Sequence, residues 1–217
     1  MVWRVLTTGL LVFMLAAALP APVRAGERPE VVRLVILSLQ EDLLAADPDG
    51  ALEPLTTDTL LLLDRVHGAL ETGRSADLAA AVSGYAAAIT ALQEEQFTLS
   101  CFLPLLLSLL SSSTTMLNAV AADGDQTCQF LRVTNSMADI VSAVQTYRIC
   151  TIDSAETPDQ TLREQIVRRQ VVVKTYNFIT SALYTGLCKV QPTFFDWFNV
   201  LLDFLAIFPK EPPAESP

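Results

Sequence analysis

Apolar residues recur along this chain at helical spacing. Val32, Ile36, Leu39 and Leu43 share one face of a helix predicted over Pro29–Ala46, ended by Asp47-Pro48-Asp49-Gly50. A second helix is predicted from about Asp58 to Thr72, with Leu63, Val66 and Leu70 inward and Gly73 as its stop. Ser75 is read as the cap of a third, running to about Gln96. Its Leu78, Val82, Tyr85, Ile89 and Leu92 make a narrow packing seam.

The stretch Gln96–Ala122 holds no Asp, Glu, Lys or Arg. A helix without charge is surrounded by something apolar, either lipid or its own protein. Eight Ser, Thr and Asn residues between Ser100 and Asn118 dilute it. Glu94, Glu95, Asp123 and Asp125 flank it, with no basic belt to orient a span. It is therefore expected to be the central helix of a bundle, sheathed by its sisters. Pro104 is placed in its first turn, so the helix should begin near Ser100.

After an Asp123-Gly124-Asp125 turn, a fifth helix is predicted over Gln126–Cys150. Phe130, Val133, Met137, Ile140, Val141 and Val144 form its apolar face, while Arg132, Asn135, Ser136 and Asp139 look outward. Thr151 to Thr157 reads as a polar loop. Thr157-Pro158-Asp159-Gln160 reads as cap, first residue and capping box of a sixth helix that ends near Thr185, at Gly186. Its Arg163, Gln170, Lys174, Asn177 and Ser181 fall in one stripe, and most of the remainder is expected to be covered. Thr193 caps a last helix, Phe194–Phe208, whose polar line is Asp196, Asn199 and Asp203.

The elements define an all-α antiparallel bundle of six to seven helices. Residues 1–25 read as a signal peptide: Arg4, then an apolar run from Val5 to Leu19, then Val23-Arg24-Ala25 at the cleavage site. Residues 26–210 form one helical domain, and 211–217 a disordered tail. The expected location is extracellular.

Cys101, Cys128, Cys150 and Cys188 then read as two disulfides. Their spacings of 27, 22 and 38 positions hold no C-x-x-C, so neither zinc nor dithiol redox chemistry is indicated. Short connections make consecutive helices antiparallel. Cys101 begins one helix and Cys150 ends the next, at one end of the bundle. Cys128 and Cys188 fall at the other. The predicted pairs are Cys101–Cys150 and Cys128–Cys188. One tension arises: Cys128 and Cys150 project from the less apolar side of their helix, so partner helices must cross that side.

Charge narrows the partners. The chain carries a formal net charge of −10, which argues against nucleic acid and anionic lipid. A membrane partner is not expected. The single histidine, His67, lies between Asp64 and Glu71 and reads as a solvated surface residue rather than a pH switch. With one His, no metal cluster and no catalytic motif, neither an enzyme nor a cofactor is expected.

The last helix packs 6 of the chain's 16 aromatic residues into 15 positions. Phe194, Trp197, Phe198, Phe204 and Phe208 are the candidate residues for a small hydrophobic, lipid-like ligand, as lid or wall of a pocket, or for a docking surface for lipid or a partner helix. The competing reading makes them core, with Asp196, Asn199 and Asp203 as the wet edge. At 51% hydrophobic residues, the chain has more apolar content than a few amphipathic helices need. The leading expectation is thus a secreted carrier of a small hydrophobic ligand. The alternative is a signalling, inhibitory or structural protein that docks a protein partner. Insect odorant-binding proteins, saposins and four-helix cytokines share this secreted helical format. The first two use six cysteines at closer spacings, and no motif points to the third.

Overall fold

The computed structural model describes residues 28–92, 99–122, 125–189 and 191–208. The expected signal peptide, the Asp123-Gly124 turn and the 211–217 tail lie outside them. Seven helices and no strand occur among the described residues: α1 (Arg28–Ala46), α2 (Leu55–Thr72), α3 (Ser75–Thr90), α4 (Leu99–Ala121), α5 (Gln126–Asp153), α6 (Gln160–Cys188) and α7 (Phe194–Ala206). The all-α antiparallel bundle and both disulfides are as predicted: Cys101 joins Cys150, and Cys128 joins Cys188.

Several helix ends differ from expectation, each for a local reason. α2 starts three residues early because the Asp47 carboxylate accepts from the Leu52 N–H and the Thr56 hydroxyl, ordering the turn before it. It ends as predicted on Gly73, whose φ of 64° is the left-handed conformation that glycine adopts without a Cβ penalty. α3 stops at Thr90, with Ser75 as its first residue rather than its cap. Pro104 lies in the second turn of α4, where the Ser100 carbonyl loses its intrahelical partner. α5 runs on to Asp153 because Ile152 is buried there and Ser154 Oγ donates to the Cys150 carbonyl. The cap of α6 is Asp159, accepting from the Leu162 N–H at 3.0 Å, not Thr157. Gly186 does not end α6; the helix continues to Cys188, which its disulfide ties to α5.

The central element is α5, not the uncharged α4. α5 packs against α1, α4 and α6, while α2 and α3 complete a ring from α1 round to α4. Fourteen of its 28 residues are buried, from Phe130 to Ile152. α4 buries Phe102, Leu105, Leu109 and Met116 against its neighbours, but Leu103, Leu107, Leu110 and Leu117 line an exposed face. By length and composition Ser100–Ala121 is apolar enough to cross a membrane, and 39% of its most apolar stretch is buried. α4 is thus a flanking wall, not a sheathed rod. α5 takes the centre despite its charges because each buried charge meets a partner.

Arg148 is the clearest case. It is buried on α5, donates from Nε to the Ala46 carbonyl at 3.2 Å, and grips the Asp49 carboxylate at 2.7 and 2.8 Å. It thereby closes the C-terminus of α1 onto the middle of the bundle. Replacing Arg148 by Met keeps the aliphatic stem but takes the donor from the Ala46 carbonyl and the cation from beside the buried Asp47 carboxylate. The expected loss is about 2–4 kcal/mol of stability, read as a lower urea midpoint with the disulfides intact.

Candidate functional site

α4 and α6 both pack on α5 but diverge from each other, leaving a trough floored by the polar side of α5. Cys101–Cys150 ties α4 down at one end of this floor, and Cys128–Cys188 ties α6 down at the other. That placement resolves the tension over Cys128 and Cys150: their polar side of α5 is crossed by a different helix at each end.

Three open clefts mark the trough. The largest, about 560 Å³, lies between α4 and α5. Its apolar lining is Cys101, Pro104, Leu105, Leu107, Ala143, Tyr147 and Cys150. Hydroxyls of Ser100, Ser108, Ser111, Ser112, Ser142 and Thr146 run along it, and Asp139 stands at one side. Ser108 and Ser111 of the uncharged helix thus face this cleft, while Thr115 and Asn118, further along the same side, line the other two. A second cleft of about 290 Å³ brings together Thr115 of α4, Arg132 and Asn135 of α5, Ser181 of α6 and Asp196, Asn199 and Asp203 of α7. The third, about 490 Å³, continues from Arg132 past Gln129 to Cys128 and Cys188.

Three polar lines, each read from sequence as a wet edge, thus converge. Asn135 Nδ2 donates to the Asn177 carbonyl at 3.0 Å and to Thr180 Oγ1 at 3.1 Å, and also meets the Asn177 side chain. Asn177 Nδ2 in turn donates to Asp139 Oδ1. Arg132 donates to the Tyr184 hydroxyl at 2.9 Å. Gln170 Nε2 donates to Thr146 Oγ1 at 2.8 Å, so the α6 stripe faces α5 along much of its length. The rest of α6 is less covered than expected: only Ile166, Val173, Thr180 and Thr185 are buried.

α7 is seated by its polar side. Thr193 and Asp196 form a reciprocal capping box, and Lys189 reaches Asp196 at 3.3 Å. Bonds from Thr193, then Lys189, hold the Asp196 carboxyl below the usual carboxylate range. Burial pushes Asp203 upward, partly offset by the Ser181 hydroxyl. Burial, reinforced by the Asp203 charge, pushes Asp139 up to about 7.

The aromatic candidates stand outside these clefts. Phe194, Trp197, Phe198, Phe204 and Phe208 line none of the three clefts. Phe204 packs on Phe178 of α6 with ring centroids 5.4 Å apart, and Trp197 lies against Gly186. Phe194, Phe198 and Phe208 point outward, and Val200 is the only buried residue of the helix. α7 is therefore not a core helix with a wet edge; its acids face the protein, Phe204 and Trp197 rest against α6, and Phe194, Phe195 and Phe198 face out. Sequence reasoning missed the residues that line the largest cleft on α5, Ser142, Ala143, Thr146 and Tyr147, although the run of small and hydroxyl residues was the available signal.

His67 also differs from expectation. Its side chain is only 19% exposed, 3.8 Å from Glu71. No group of three or more metal-ligating side chains occurs among the described residues. The chain matches no protein-family model, no curated protein and no solved structure.

The raised Asp139 has a stability consequence with a definite sign. Between about pH 4 and its folded value near 7, the folded protein keeps a proton that the unfolded chain releases. Stability therefore falls as pH rises through that window and levels off above it. Asp139→Asn leaves a neutral group at the same place. It is expected to flatten this fall, adding roughly 1–3 kcal/mol at the alkaline end, as read by urea unfolding at the two ends of the window.

Proposed function

We propose that this protein is a secreted, non-enzymatic carrier of a small lipid-like molecule, held in the trough over α5. The observation that carries the reading is the 560 Å³ cleft between α4 and α5, where apolar side chains of both helices alternate with their hydroxyls. Its volume falls within the range of small-molecule sites, about 300–1,000 Å³. The lining suits an amphipathic ligand, with its hydrocarbon over Leu105, Ala143 and Tyr147 and its polar groups against the serines. The aromatic helix, first expected to hold the ligand, instead stands beside the site and contributes its acidic line to the neighbouring cleft. Two disulfides are compatible with an extracellular location. The signal-peptide pattern at residues 1–25 supports export.

A fluorescent fatty-acid analogue titrated into the oxidised protein tests the reading. Saturable binding with one site per chain is expected. Ala143→Phe, which fills the cleft from its floor, should weaken it at least about tenfold, about 1.4 kcal/mol. Phe198→Ser on the outer face of α7 should leave it unchanged. Absence of saturable binding, or loss only in Phe198→Ser, would overturn it.

A further inference from the structure

We propose that the outward face of α7 is the interface of a homodimer. Phe194, Phe195, Phe198, Leu202, Leu205 and Phe208 are all exposed, Phe194 and Phe195 at 76% and 74%. The first five follow helical spacing along one side of a 13-residue helix about 20 Å long, and Phe208 continues the line just past its end. Its two charged residues, Asp196 and Asp203, are on the other side, lining the second cleft. The exposed face is thus continuous, aromatic and free of charge.

Its area decides what covers it. Whole aromatic side chains present about 150–250 Å² each, and the fractions left exposed on α7 sum to roughly 700 Å². That is close to the roughly 800 Å² that each partner contributes to a stable interface. A two-fold axis across the helix would set the Phe194–Phe198 end of one copy against the Leu205–Phe208 end of the other. A charge-free face is self-complementary under that operation, since no like charges meet. A lipid surface fits less well. Helices that lie on membranes carry Lys and Arg on their polar side. α7 carries neither, its polar side is acidic and turned inward, and the chain is acidic overall at −10. That net charge also gives the dimer a signature: two acidic copies repel at long range, so salt should tighten the pair.

Sedimentation equilibrium of the mature, oxidised protein across the micromolar range, at low and high salt, tests this. A dimer that strengthens with salt is expected. Phe198→Glu with Leu202→Glu should weaken it at least about 100-fold, because both positions lie at the centre of the face. The helix signal in circular dichroism, both disulfides and the binding of the fluorescent fatty-acid analogue should persist in that variant. Leu103→Glu with Leu107→Glu, on the exposed face of α4, should leave the dimer intact. A monomer at all concentrations overturns the proposal, as does a dimer that survives the α7 variant. A dimer broken by the α4 variant alone moves the interface to α4. A monomeric wild type that floats with phosphatidylcholine vesicles assigns the α7 face to lipid instead.

Discussion

Two sulfur bridges placed at opposite ends of one helix determine how everything else in this protein is arranged. α5 is gripped near its start by α6 and near its end by α4. Each bridge closes a long segment, its cysteines 49 and 60 positions apart in sequence. In the chain-entropy account, loops of this length are worth roughly 4 kcal/mol each. Their geometric effect matters as much. Pinned at one end only, each flanking helix is free to splay at the other, so a trough opens over α5 instead of a closed seam.

That opening explains why polar side chains are tolerated so near the centre. A helix buried on all sides cannot carry Arg132, Asn135, Asp139, Ser142 and Thr146 on one stripe without partners. Here α6 answers with Gln170, Asn177, Thr180 and Tyr184, and α7 adds Asp196, Asn199 and Asp203 along the second cleft. Burial, and the Asp203 charge beside it, raise the proton affinity of Asp139, while Asp203 is raised by its own burial. The balance leaves apolar side chains of α4 and α7 on the outside. The usual sorting of oil inward and charge outward is locally reversed.

Much of the architecture was legible from residues alone. Helix spacing identified all seven elements, and antiparallel parity was enough to pair the cysteines, because a helix end can reach only another end at the same level. What could not be read was which polar lines face water. Asp196, Asn199 and Asp203 have the same spacing whether they meet solvent or the polar side of another helix. The absence of charge from α4 was likewise misleading. Lack of charge permits burial but does not require it, and Leu103 and Leu107 are outside. Conversely, Arg148 sits deep in the bundle because the Ala46 carbonyl and Asp49 are brought to it from about 100 positions away, a meeting that no local pattern announces.

The way α7 is attached has a further consequence. It follows the last cysteine, so neither bridge encloses it, and it buries Val200 alone. Its seat is an ion pair from Lys189, the Ser181 hydroxyl on Asp203, one ring contact to Phe178 and Trp197 against Gly186. Such a segment is the part of a fold that opens first, with amides that exchange with solvent while the cross-linked helices stay closed. Cleavage of the chain after Lys189 would therefore shed the aromatic arm and leave the cross-linked frame, with both cystines, standing.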